Sequence, residues 1–213
     1  MYYKLVDTDY KSFGSCCWKN GPLYVTHMES GGVDGECGPG WLHVYADPIL
    51  GVMMDPIHAN VGTGRILEVE CLDATYLNGG KYICRAVTPV REIKWPLLDM
   101  EHRIRMALYC SMAVCSCVDY LSWAESYLEG NKLTLRRSGG GEEGEEAINS
   151  RVYAWKAALY EDTARCAALA VLSAERAGLM GLTDYAYRAW GRSRSDAIVE
   201  GSNIGGAFNQ RTK

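Results

Sequence analysis

Gly35-Glu-Cys-Gly-Pro-Gly-Trp-Leu-His-Val-Tyr45-Ala-Asp-Pro48 is the most sharply punctuated stretch of this 213-residue chain. Gly35, Gly38 and Gly40 bracket Cys37 and Pro39. Glycine permits backbone angles closed to other residues, and proline fixes its own. The segment therefore reads as a shaped loop that feeds a strand over Trp41–Tyr45. A loop of this kind brings backbone N–H groups close to a ligand. The strand then runs into Asp47 to Ala59, whose Pro48, Ile49, Leu50, Val52, Met53 and Met54 predict a short helix or an ordered loop.

Outward from that stretch, residues 1–95 alternate in short runs between turn residues, as strands do. Strands are predicted over Tyr2–Val6, after the Asn20-Gly21-Pro22 turn from Leu23 to His27, over Arg65–Cys71, over Lys81–Val87, and from Val90 to Ile93. Leu77-Asn-Gly-Gly80 is a strong turn signal, because Asn-Gly and Gly-Gly supply positive φ. Beyond residue 95 the period changes. Ile104, Leu108, Met112, Cys115, Val118, Leu121, Ala124 and Leu128 recur at gaps of three and four, which predicts one helix from Leu97 to Glu129. A second long helix is predicted from Ala147 to Ala177, rich in alanine, and a third from Thr183 to about Val199. Between the first two lies a Gly/Glu loop at 138–146, expected to be solvated and flexible. The fold class is α+β: a small, mostly antiparallel β module at 1–95, then a helical bundle at 96–213.

Bulk composition narrows the function. Hydrophobic residues make up 48%, enough for a sizeable core, and the net charge is −4 with a pI near 5.6. That balance argues against a surface built for nucleic acid or anionic membrane. The N-terminus lacks the apolar core of a signal peptide, and the run Met106–Val118 is too short for a bilayer, so a cytoplasmic protein is expected. The nine cysteines include no Cys-x-x-Cys pair. Cys110, Cys115, Cys117 and Cys166 fall in helical patterns, and Cys71 and Cys84 read as inward strand positions. Cys16, Cys17, Cys37 and His43, with His27, match no zinc spacing, so no metal is assigned.

His43 is the leading single residue. It reads either as a ligand contact able to hold or move a proton, or as a structural histidine bonded to loop backbone. Arg85 and Arg91 alternate out of strand segments. Each can grip a phosphate or carboxylate, or pair across the sheet with Glu68 or Glu70. His27 and His58 sit in loop-like surroundings, and His102 marks a helix start. No phosphate-loop, dinucleotide, zinc-protease or nucleophile-elbow motif is present. The ligand-contacting set is therefore Gly38, Gly40, His43, Arg85 and Arg91, with no catalytic residue and no cofactor assigned.

Tyr3-Lys-Leu-Val-Asp7, Gly38-x-Gly40-Trp-Leu-His-Val with Ala46-Asp-Pro48, Arg65-Ile-Leu-Glu-Val69, and Lys81-Tyr-x-Cys-Arg85 ending in Arg91-Glu-Ile93 follow one another in order. Together they resemble a family of uncharacterised proteins of phages and bacterial mobile elements, over about 90 residues. Trp41-Leu42 before the histidine departs modestly from the family's Gly-[Phe/Leu]-His-[Ala/Val] core. The resemblance implies a compact β-rich module distantly similar to ADP-ribosyltransferase folds, acting in the host cytoplasm. Two functions of different class follow. One is a binding protein that blunts a bacterial immune system, by masking a host immune protein complex or sequestering a nucleotide ligand. The other is an enzyme that uses NAD to modify a macromolecule, with His43 and Arg85 on the cofactor and Glu92 stabilising the developing cation. Binding ranks first, because function is argued from a site and no second catalytic group is placed beside His43. The broad apolar helix faces also lead to the expectation of a homodimer.

Overall fold

A computed structural model describes residues 1–12, 16–18, 23–24, 41–131, 143–159 and 163–191. The strands are β1 (Tyr2–Val6), β2 (Lys11–Ser12), β3 (Cys16–Cys17), β4 (Leu23–Tyr24), β5 (Leu42–Tyr45), β6 (Arg65–Leu72), β7 (Thr75–Asn78), β8 (Lys81–Cys84) and β9 (Ala86–Ile93). The helices are α1 (Pro48–His58), α2 (Met100–Val114), α3 (Val118–Leu128), α4 (Glu145–Leu159), α5 (Thr163–Arg176) and α6 (Leu182–Trp190). The predicted α+β class holds: an antiparallel β module leads into a helical bundle.

Seven strands pair in the order β4-β9-β6-β1-β5-β8-β7, and β2 pairs with β3 apart from them. One connection shapes the sheet. β8 and β9 are separated by Arg85 alone, yet three strands stand between them in the ladder. The sheet must therefore curl until its β8 and β9 ends meet. Val6, Val44, Leu67, Val69, Cys84 and Val87, one or two from each of five strands, fill the concave side with Trp18. The lysine ammonium of Lys4 sits 4.8 Å from the Trp18 ring centroid and donates to the His43 carbonyl at 3.0 Å.

Alternation puts Leu5, Tyr45 and Ile66 on the convex side, where α1 covers them. Asp47 caps α1 by accepting from the backbone N–H groups of Ile49 and Leu50, and Pro48 occupies the first turn, where a missing N–H is harmless. Met106 and Cys110 of α2, Ala168 and Val171 of α5 and Ala186 of α6 complete the same cluster. The strand-to-helix switch falls between Ile93 and Met100, near the expected boundary, but one core runs through both halves. Arg103 of α2 reinforces the join by donating to the carbonyls of Val52 and Met53.

The helix predicted over Leu97–Glu129 is two helices. α2 stops at Val114, and Cys115-Ser-Cys117 leaves the helical path before α3. The break rephases the apolar stripe. Val118, expected inward, is 72% exposed, while Tyr120, Trp123 and Tyr127 turn in against Leu108, Ala154 and Ala170. The helix predicted over Ala147–Ala177 is likewise divided into α4 and α5, and the third, expected to run to about Val199, stops at Trp190, where Gly191 closes α6 with φ 70°. The apolar faces offered for self-association, Ile104 and Leu108 among them, are spent within this chain's own second core.

Glu143 fixes the α2–α3 break. Its Oε1 accepts from the backbone N–H of Ser116 at 2.6 Å and of Cys117 at 2.9 Å, from Ser116 Oγ and from Cys115 Sγ. Its Oε2 faces Arg151 of α4 at 3.3 Å, and its side chain is only 2% exposed. Burial works against the charge. Those donors and the Arg151 guanidinium outweigh it, holding the carboxyl below its usual range. The expected solvated Gly/Glu loop is thus corrected at its described end, since Glu143 is an internal helix cap and Glu145 already opens α4. Residues 138–142 lie outside the described residues. No helix among the described residues is long and apolar enough to cross a membrane.

Candidate functional site

The register of β5 on β8 builds a column of side chains on the convex face. His43 stands opposite Ile83, and Tyr45 opposite Lys81. Two residues further out the same alternation sets Trp41 opposite Arg85, whose guanidinium lies 5.7 Å from the Trp41 ring centroid. The column grades from the exposed Arg85, through half-buried Trp41 and His43, to the buried Lys81.

Its inner end is closed from three directions. Tyr45 Oη lies 2.8 Å from Nδ1 of His58 at the end of α1, and the two rings stack at 6.0 Å. The Gly79–Gly80 turn, with φ of 56° and 73°, fits directly under α1. A Cβ at Gly80 would fall 2.1 Å from Leu50 Cδ2, so the close approach requires glycine. Glu175 of α5 accepts from the Gly79 N–H. Burial pushes the Glu175 carboxyl up, partly offset by that bond and by Arg176.

Electrostatics here favour neutral imidazoles beside lysine charge. Burial, then Lys81, then Lys4 hold His43 down at about 4. Burial, then Lys81, then His43 hold His58 down at about 3. Near pH 7 both rings are uncharged, so each presents one donor and one acceptor nitrogen. His43 Nε2 is buried and meets no hydrogen-bond partner among the described residues. A buried polar atom left so demands an explanation, and a ligand atom beside it is one. The hydroxyl–imidazole pair Tyr45–His58 is packed beneath α1, with Tyr45 3% exposed. The exposed end of the column offers a stacking plane and a guanidinium, with His43 Nε2 buried behind them.

The remaining predicted residues scatter. Gly38 and Gly40, with Cys37 and His27, lie outside the described residues. Arg91 donates through Nε and Nη2 to Glu68 Oε2 at 3.0 and 2.8 Å, the cross-strand pairing open to it from its sequence. Arg85 and Arg91 stand six residues apart along extended chain, roughly 20 Å at 3.3 Å per residue, so one small ligand cannot engage both. Glu92 binds Arg65 and Tyr10 on the concave side, beside Leu67, whereas His43 faces the helices. The trio His43, Arg85 and Glu92 required for NAD chemistry is therefore not assembled. His102 closes a capping box with Asp99 at the start of α2.

Sequence reasoning missed Lys81 and the pairing of Trp41 with Arg85. The signal was present: a hairpin through Gly79-Gly80 sets Lys81 against the end of the His43 strand. A lysine after a turn is ordinarily solvated, and only the helix layer buries this one to 5% exposure. No family model matches the chain, and neither the curated proteins nor the solved structures yield a match.

Proposed function

We propose that this chain binds a nucleotide-class ligand, an aromatic base carrying negative charge, without transforming it. The observation that carries the reading is the single column holding an aromatic plane with its guanidinium (Trp41 and Arg85), an unsatisfied imidazole nitrogen (His43) and lysine charge (Lys81). Each part has a matching ligand group: a base stacks on the indole, its edge is directed to His43 Nε2, and its phosphate answers the exposed Arg85 guanidinium, with Lys81 adding positive charge from below. The local positive charge stands out in a chain of net charge −4. Sequestration of a nucleotide signal is the role that the phage-family resemblance implies, and we extend it to this chain as an inhibitor of bacterial immunity in the host cytoplasm. The preference for a small molecule over a host protein complex rests on the narrow two-strand width of the column.

Thermal-shift and equilibrium-dialysis measurements on the whole chain with linear and cyclic nucleotides test this. Binding that stabilises the protein and weakens in His43→Ala is expected. Absence of binding at about 1 mM ligand, an affinity near −4 kcal/mol, would refute it. Capture of a host protein that competes with no nucleotide would replace it with the masking role.

A further inference from the structure

The concave layer of the curled sheet brings together two thiols from strands that are not neighbours in the ladder. Cys71 lies on β6 opposite Val87 of β9, and Cys84 ends β8 opposite Leu42 of β5. Because Arg85 alone turns β8 into β9, the curl brings Cys84 into the same packed cluster as Cys71 at the closing seam. Cys84 is 0% exposed, and Cys71 packs on the same cluster from a half-buried position. Cys84 Sγ donates to the Leu42 carbonyl at 3.4 Å. Tyr2 and Tyr82, with ring centroids 5.2 Å apart, pack on the same cluster. The binding column uses the opposite face of these strands, so the pair stands independently of that function.

We propose that Cys71 and Cys84 are a redox-modification site, forming a reversible disulfide by exchange with a low-molecular-weight disulfide such as oxidised glutathione, and thereby locking β6 to β8 across the seam. Cys71 is the attacking sulfur. It is reachable, and the hydrogen bond from Cys84 holds its thiol below the ordinary range, burial opposing this in part. Its thiolate attacks one sulfur of the reagent, breaks the S–S bond and releases one glutathione thiolate. Cys84 then displaces the second glutathione from the mixed disulfide, its proton passing to a departing thiolate. Two protein thiols are oxidised and one reagent disulfide becomes two thiols. The Cys84 thiol is itself pushed up, by its bond to Cys71 and then by burial, so it serves as the resolving sulfur, and the first of these ends once Cys71 is in the mixed disulfide.

The whole chain carrying Cys17→Ser, which removes an exposed competing thiol, is incubated folded with oxidised glutathione, acid-quenched and digested with trypsin without reduction. Cleavage after Arg65, Lys81 and Arg85 yields peptide 66–81 joined to 82–85, two hydrogens lighter than their sum. We expect that species to dominate, to vanish on adding dithiothreitol, and to be accompanied by a higher unfolding temperature. Cys71→Ser should abolish it and leave Cys84 unmodified. The mapping on the parent protein carries the test should that variant misfold. A stable glutathione adduct on Cys71 with Cys84 free, or no reaction at either thiol, would overturn the proposal.

Discussion

Glu143→Gln removes the charge that caps the break between α2 and α3 while keeping the side chain's shape. The carboxylate is 2% exposed and its partner Arg151 13% exposed, so water screens neither well. The amide can still accept from Ser116 and Cys117, but Arg151 loses its counter-charge. Removing one partner of a buried ion pair costs about 3–5 kcal/mol, and the retained bonds place this variant near the lower end. At about 2–4 °C per kcal/mol for a protein of this size, the unfolding temperature should fall by about 6–12 °C. Scanning calorimetry at neutral pH measures it. A double-mutant cycle with Arg151→Met should return a coupling above about 1 kcal/mol, since the groups are in contact. A fall within about 0.5 kcal/mol, the usual effect of a surface substitution, would place Glu143 in a solvated loop and refute the cap.

The protein should lose stability as pH drops from about 6.5 towards 4. His43 and His58 stay neutral when folded, at about 4 and about 3, so the unfolded chain takes up protons first in that window. Asp55 and Glu175, both pushed up chiefly by burial, act in the opposite sense at the lower end. Unfolding temperatures that fail to drop between about pH 7 and pH 5 would contradict the burial of both rings. Gly80→Ala, placing a Cβ 2.1 Å from Leu50 Cδ2 at φ 73°, should destabilise by about 2–5 kcal/mol from left-handed strain and overpacking, read by urea unfolding. Glu92→Gln should change stability by less than about 1 kcal/mol, because its pair with Arg65 is solvent-exposed, and should leave nucleotide binding intact. Loss of binding in that variant would move the site to the concave face.

Short apolar runs set between polar and turn residues made β1 and β6 legible almost to the residue, although both strands are buried on two faces where they cross the core. The apolar residues after Asp47 left a short helix or an ordered loop open, of which the structure takes the helix, and Gly79-Gly80 announced the turn before β8. Hidden were the features set by distant contacts. Nothing in Val114-Cys-Ser-Cys117 breaks a helix locally; the break is held by a carboxylate 26 residues away. The curl of the sheet follows from the one-residue β8–β9 link, which periodicity alone read as a continuing strand. At the candidate site His43 and Arg85 were visible as residue types, but their alignment with Trp41 and Lys81 depended on strand register. Arg91 was legible only as a choice between a ligand and a cross-strand pair with Glu68 or Glu70, and the structure pairs it with Glu68.

Calorimetric titration of the whole chain with a nucleotide identified by thermal shift, repeated in Trp41→Ala and His43→Ala, tests the binding column most directly. A stacked base is worth about 1–3 kcal/mol, so Trp41→Ala should weaken binding by about 5- to 150-fold with the unfolding temperature retained. Equal affinity in the wild-type protein and both variants would contradict the column as the place where the ligand sits.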